Sequence, residues 1–169
     1  MGETGGDEKT IVQWQGAYSV GIKLIDEQHM ELIKLTNKLF VSCLMDQERS
    51  KKTFMNTIHE VVDYVGYHFG TEEKIMERVH YPGMAQHKSE HVEFVEFVRV
   101  VLSKVEDYTA GKVRTPLAFV YFLRDWVLNH IAYSDKKMVG YLVALKRSGA
   151  LQSFAPKEKK TILQREYQP

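Results

Sequence analysis

The sequence predicts an all-α fold: an up-down-up-down four-helix bundle with an N-terminal arm and a C-terminal tail. Three observations carry this. Long stretches place apolar residues at helical period, with no convincing alternation of strand type. The breaks between them are short and rich in turn residues, as at His80-Tyr81-Pro82-Gly83, so that neighbouring helices run antiparallel. Histidines and carboxylates recur four residues apart, His68 with Glu72 and His87 with His91, a spacing that puts each pair on one helix face.

The elements follow in order. Residues 1–10 are polar and glycine-rich and read as a disordered lead. Residues 11–21 mix aromatic, apolar and glycine residues and suit an ordered, non-helical arm that packs through Trp14 and Tyr18. Ile25, Met30, Ile33, Leu35, Leu39, Phe40 and Leu44 keep a helical period from Lys23 to Met45, with His29 in the first turns. Ser50 suits the cap of a second helix that runs to Val79, one face of which carries Phe54, Ile58, Val61, Val65, His68, Glu72 and Ile75. A third helix is expected from Met84 to Ala110, stopping at Gly111. Thr115 and Pro116, a capping residue and a proline fit for the first helical position, open a fourth that continues to Leu145. Residues 11–145 thus read as one bundle domain. Residues 146–169 hold six Lys/Arg against two Glu, break at Gly149 and Pro156, and read as a basic tail or linker.

Composition narrows the class. A chain of 169 residues suits one domain with a sizeable core. A net charge of +1 gives no reason to expect a nucleic-acid partner. The one cysteine, Cys43, cannot form an intramolecular disulfide, and points with the absence of an apolar signal region to a cytoplasmic protein. No apolar run approaches the roughly 18 residues of a membrane span.

Each helix offers residues of metal-ligand type: His29 from the first, His68 and Glu72 from the second, His87 and His91 from the third, His130 and Asp135 from the fourth. Bundle interiors build metal sites from such facing residues. Five imidazoles and two carboxylates are too many for one tetrahedral zinc. Imidazole and carboxylate without thiolate suit iron, although zinc, copper and nickel also accept imidazole. If both carboxylates and one solvent-derived oxygen bridge two metals, a metal with three histidines is six-coordinate. A metal with two is five-coordinate, with one open position. On reduced iron, that position is where dioxygen would bind, and the mostly neutral histidine shell leans toward reversible binding.

His130 and Asp135 are five apart, about 140° on a regular helix, so the fourth helix is expected to widen there. His59 falls on the face opposite His68 and reads as a surface residue; His80 reads as a turn residue. Glu73 and Glu90 lie off the ligand face, at the surface or as acceptors for the free nitrogens of ligand imidazoles. Asp26 serves in the same way or favours the start of the first helix.

Taken together, these motifs resemble the hemerythrin family, in particular bacterial hemerythrin domains. The matching features are I-D-E-Q-H ending at His29, H-F-x-x-E-E from His68 to Glu73, Tyr81-Pro82 followed by His87 and His91, and W-x-x-x-H-I-x-x-x-D from Trp126 to Asp135. The resemblance spans roughly residues 11–145. It implies two iron ions, the coordinatively full one on His87, His91 and His130, and the oxygen-binding one on His29 and His68. It also implies bridging by Glu72, Asp135 and an oxo or hydroxo ligand. Leu32, Phe69, Trp126, Val127 and Ile131 are the implied oxygen-pocket residues.

The implied function is non-enzymatic, reversible dioxygen binding for storage, transport, delivery or sensing, with nitric oxide and small anions such as azide as alternative ligands. A redox- or oxygen-sensing module that reaches an output domain or protein partner through the tail is the alternative reading. A di-iron enzyme acting on peroxide or nitric oxide is another, and iron-centre repair a weaker one, since only one H-x-x-x-E pair is present. One position departs from the family: Val127 stands where its well-known members carry leucine. A smaller side chain there is expected to admit more water and small anions and to speed autoxidation.

Overall fold

The computed structural model describes residues 9–45, 47–104 and 117–150, with the side chains of 47 and 48 excepted. It is all-helical among the described residues. Helix α1 spans Lys23–Ser42, α2 spans Gln47–Arg78, α3 spans Met84–Ser103 and α4 spans Leu117–His130. A π-helical segment, Ile131–Asp135, then leads without a break into α5, Lys136–Arg147, so that α4, the π segment and α5 form the fourth long rod.

Two apolar clusters show the direction of each rod. The first gathers Leu32, Leu39, Ile58, Val65, Phe94, Val98, Leu123 and Ile131 with their neighbours. The second gathers Ile22, Ile25, Ile75, Met76, Val79, Met138, Val139 and Leu142. Along α1 the chain passes from the second cluster to the first, and along α2 it returns. Helix α3 leaves Met84 against the second cluster and reaches Val98 in the first, and the fourth rod runs back. The bundle is therefore up-down-up-down. Between the clusters lies a polar layer, because His29, Glu72, His87 and Asp135 fall between the two sets on their helices.

The element ends have local causes. Helix α1 stops at Ser42, short of the expected Met45. The chain tightens there: the N–H groups of Cys43, Leu44 and Met45 donate three residues back, to Phe40, Val41 and Ser42. Ser50 is not the cap of α2, which begins three residues earlier at Gln47. The strong helix formers Gln47, Glu48 and Arg49 extend it upstream. Helix α2 ends in a Schellman arrangement: His80 is left-handed at φ 52°, Tyr81 N–H donates to Met76 O at 2.9 Å, and His80 N–H to Glu77 O at 3.2 Å. The expected end of the third helix at Gly111 and the start of the fourth at Thr115-Pro116 lie outside the described residues, as do residues 1–8 of the lead and 151–169 of the tail.

The arm is held differently from the sequence expectation. Tyr18 does pack against the first cluster, while Trp14 leans edge-on against Tyr18 with ring centroids 6.1 Å apart. The firmest hold is Asn37. Its Oδ1 accepts from Ile11 and Val12 N–H at 3.1 and 3.2 Å, and its Nδ2 donates to Val12 O at 2.8 Å. Lys136 Nζ also donates to Ala17 O.

Candidate metal centre

The polar layer is built from all four rods. Helix α1 supplies His29, α2 supplies His68 and Glu72, α3 supplies His87 and His91, and the fourth rod supplies His130 and Asp135; all seven are buried. The five-residue step from His130 to Asp135 is absorbed by the π segment. Lys136 N–H donates to Ile131 O, a five-residue span that adds one residue to the turn and keeps both side chains facing inward.

The ligand atoms form two overlapping groups, Glu72 with His87, His91 and His130, and His29 with His68, Glu72 and Asp135, each within 4.8 Å. Glu72 belongs to both. Its Oε2 stands 3.4 Å from His87 Nε2, 3.3 Å from His91 Nε2 and 3.7 Å from His68 Nε2. Asp135 also spans the two: Oδ1 is 3.3 Å from His87 Nε2 and 3.2 Å from His130 Nε2, while Oδ2 is 3.0 Å from His29 Nε2.

Outer partners fix the imidazoles. His91 Nδ1 meets Glu73 Oε1 at 3.1 Å, and His130 Nδ1 meets Glu90 Oε2 at 3.1 Å. Lys88 Nζ lies 3.0 Å from Glu73 Oε2, and Ser134 Oγ donates to Glu90. His68 Nδ1 meets Gln28 Oε1 at 2.9 Å. Thr71 Oγ1 donates to Tyr67 O at 2.9 Å and so accepts from Gln28 Nε2 at 3.3 Å, which turns the amide oxygen toward His68.

This outer pairing carries a consequence. A neutral imidazole has one N–H. With Nδ1–H of His91 and His130 donated outward to carboxylates, both Nε2 atoms present bare lone pairs inward. They lie 3.2 Å apart, and His130 Nε2 is 3.1 Å from His87 Nε2. Lone pairs at that separation repel unless a cation lies among them. Both oxygens of Glu72 and both of Asp135 also lack a hydrogen-bonding partner, as do both nitrogens of His29. Buried polar atoms left so are costly. A pair of cations accepting these lone pairs satisfies the set, and the donor chemistry fits iron, zinc or another imidazole-binding metal.

Protonation directions of the protein groups divide across the layer. Burial, with the neighbouring His29 imidazole, pushes His68 down to about 3. Burial brings His91 down to about 4 against the pull of Glu73. Burial also lowers His87, but the carboxylates of Asp135 and Glu72 outweigh it and raise the group to about 9. Glu72 is raised by burial and by the charge of Asp135. Asp135 is lowered because the surrounding imidazoles of His130, His29 and His87 outweigh its own burial.

Around the centre, Leu32, Phe69, Val127 and Ile131 are buried together in the first apolar cluster, and Trp126 packs against it. Phe69 stacks on His91 with centroids 3.7 Å apart and planes within 5°; Trp126 stacks on His130 at 4.5 Å and 12°. Both rings thus cover imidazoles of the three-histidine group. His59 and His80 are exposed. Asp26 serves the start of α1, where it accepts from Ser19 Oγ at 2.6 Å and Val20 N–H at 2.7 Å. Gln28 is the one outer partner that spacing arguments passed over. Its signal is its place on the inward stripe of α1, three residues after Ile25 and four before Leu32.

A four-helix bundle with seven buried imidazole and carboxylate ligands in two overlapping groups is, by class, a cation-binding bundle. Comparison with known proteins makes this specific. The family described as Hemerythrin HHE cation binding domain matches residues 20–142. The chain is 33% identical over 129 residues to a bacteriohemerythrin of Stenotrophomonas maltophilia, covering 75% of this chain and 78% of that protein. It is 31% identical to a hemerythrin-like protein of Naegleria gruberi, covering 76% and 92%. A crystal structure of wild-type hemerythrin superposes with a TM-score of 0.67 at 27% identity, covering 75% of this chain and 94% of that one. The chain belongs to the hemerythrin family.

Proposed function

We propose that this chain is a non-enzymatic, non-haem di-iron protein that binds dioxygen reversibly, for storage, delivery or sensing. His87, His91 and His130 would hold one iron and His29 and His68 the other, with Glu72 and Asp135 placed to serve both and a solvent-derived oxo or hydroxo ligand to complete the set. The observation that carries the reading is the set of inward lone pairs on His91 and His130 beside two partnerless buried carboxylates. When bound, the irons supply the electrons that hold dioxygen. The chain's own residues orient the ligands and keep water out. Leu32, Phe69, Val127 and Ile131 wall the centre with hydrocarbon, and Trp126 and Phe69 cover His130 and His91. Nitric oxide and azide are alternative occupants of the same position. The bundle domain, residues 11–145, contains every group that this function needs.

The test is an anaerobic-to-aerobic optical titration of the iron-loaded protein. A visible charge-transfer band that appears in air and vanishes under argon is the expected result. A permanent oxidised spectrum, with no reversible species even on rapid mixing, would defeat the reading and favour a redox sensor or an enzyme. No described helix is long and apolar enough to cross a membrane.

A further inference from the structure

The two metal positions differ in what stands behind their imidazoles. In the three-histidine group, His91 and His130 each donate Nδ1–H to a carboxylate, Glu73 and Glu90. Both carboxylates reach solvent, with 29% of each side chain exposed, and each is held by a second donor, Lys88 at Glu73 and Ser134 at Glu90. In the two-histidine group, His68 faces the neutral amide of Gln28; one imidazole in each group, His29 and His87, has no hydrogen-bonding partner at Nδ1. An imidazole that donates to an anion is a stronger base toward a metal than one that donates to an amide. The three-histidine group is also closed already, with its Nε2 atoms 3.1–3.2 Å apart along the chain His87, His130, His91.

We infer that Glu73 and Glu90 are positioning residues that make the three-histidine position the high-affinity one, so that the protein loads its cations in a fixed order: first at His87, His91 and His130, then at His29 and His68. This rests on the two-metal reading above. The two carboxylates are not equivalent. Glu73 shares its charge with the Lys88 ammonium 3.0 Å away, whereas Glu90 is braced by the Ser134 hydroxyl and by Gln86 Nε2 at 3.3 Å. Glu90 therefore acts on its imidazole with less of its charge compensated. Removing the Lys88 charge strengthens Glu73 as an acceptor.

The experiment uses zinc(II), which is redox-silent, titrated into the metal-free full chain. A competing chelating indicator reads affinity, and 15N spectra of the histidine rings show which residues bind at each step. The expected result is two steps, with the ring nitrogens of His87, His91 and His130 shifting in the first and those of His29 and His68 in the second. Glu90→Gln, which keeps a hydrogen-bond acceptor and removes the charge, weakens the first step about 10-fold or more. Glu73→Gln weakens it less, and Lys88→Met tightens it, a change of sign that a merely structural role would not produce. Gln28→Ala weakens only the second step. Loading of His29 and His68 first, a single unresolved step, or equal weakening of both steps in the glutamate variants would overturn the inference and leave the two-metal reading standing. A protein that takes up no zinc would remove both.

Discussion

Val127 is buried to 3% exposure in the same apolar cluster as Ile131, Leu32 and Phe69, and its side chain is one methylene smaller than a leucine. Val127→Leu is expected to slow autoxidation several-fold, read as the decay of the air-dependent band. An unchanged decay would show that this wall does not govern water entry. Cys43 is the other single residue with a definite expectation. Burial pushes its thiol up to about 11 from 9.0, with a hydrogen bond to Ser42 as a small opposing effect. Only the thiolate reacts, so modification by a disulfide reagent at pH 8 should run about 100-fold below that of an unperturbed thiol, and should accelerate roughly tenfold per pH unit until the pH approaches that value. Fast, pH-independent labelling would contradict this. His80 holds φ at 52° at the end of α2, a conformation that L side chains adopt at a cost. His80→Gly should therefore stabilise the fold by about 0.5–1 kcal/mol, read as a rise in the denaturant midpoint.

At the scale of the element, the π segment sets the azimuth of Asp135. It is equivalent to one residue inserted into an α-helix. Deleting the exposed Tyr133 would leave His130 and Asp135 four apart on a regular helix, still on one face. Two bound metals per chain are the expected result. Inserting an alanine after Tyr133 would instead swing Asp135 and all of α5 by about 100° and empty both groups of that ligand. Metal content after reconstitution separates the two. Element by element, what can be seen in advance follows from locality. The helices and the cluster residues are legible because helical period and four-residue spacing are properties of short stretches. The widened turn is legible because five residues cannot face one way on a regular helix. The grip of Asn37 on the arm is not, because it joins residues 25 and 26 positions apart in the chain by hydrogen bonds that leave no periodic trace. The start of α2 is misplaced by three residues because a good capping residue, Ser50, also tolerates the first turn of a helix. Gln28 shows why outer partners escape notice: a polar residue on an apolar stripe reads as an irregularity until the imidazole it serves is placed opposite.

For the molecule as a whole, cation binding is folding energy, since the unfolded chain has no assembled site. Each cation at 100 times its dissociation constant is expected to add about 2.7 kcal/mol, so chelation should lower the melting temperature in a metal-dependent, reversible way. Equal melting with and without chelator would count against a metal in the polar layer. That layer has another consequence. Each rod crosses it once, at one height, between two hydrocarbon compartments. Sliding any rod by one turn, about 5.4 Å, would push a carboxylate or imidazole into the oily zone above or below and strand its mates. Leucine and valine contacts forgive such a slip, since one hydrocarbon neighbour replaces another. The ligand layer does not. With cations bound it therefore acts as a latch on vertical alignment, much as a single buried polar residue dictates register in a coiled coil.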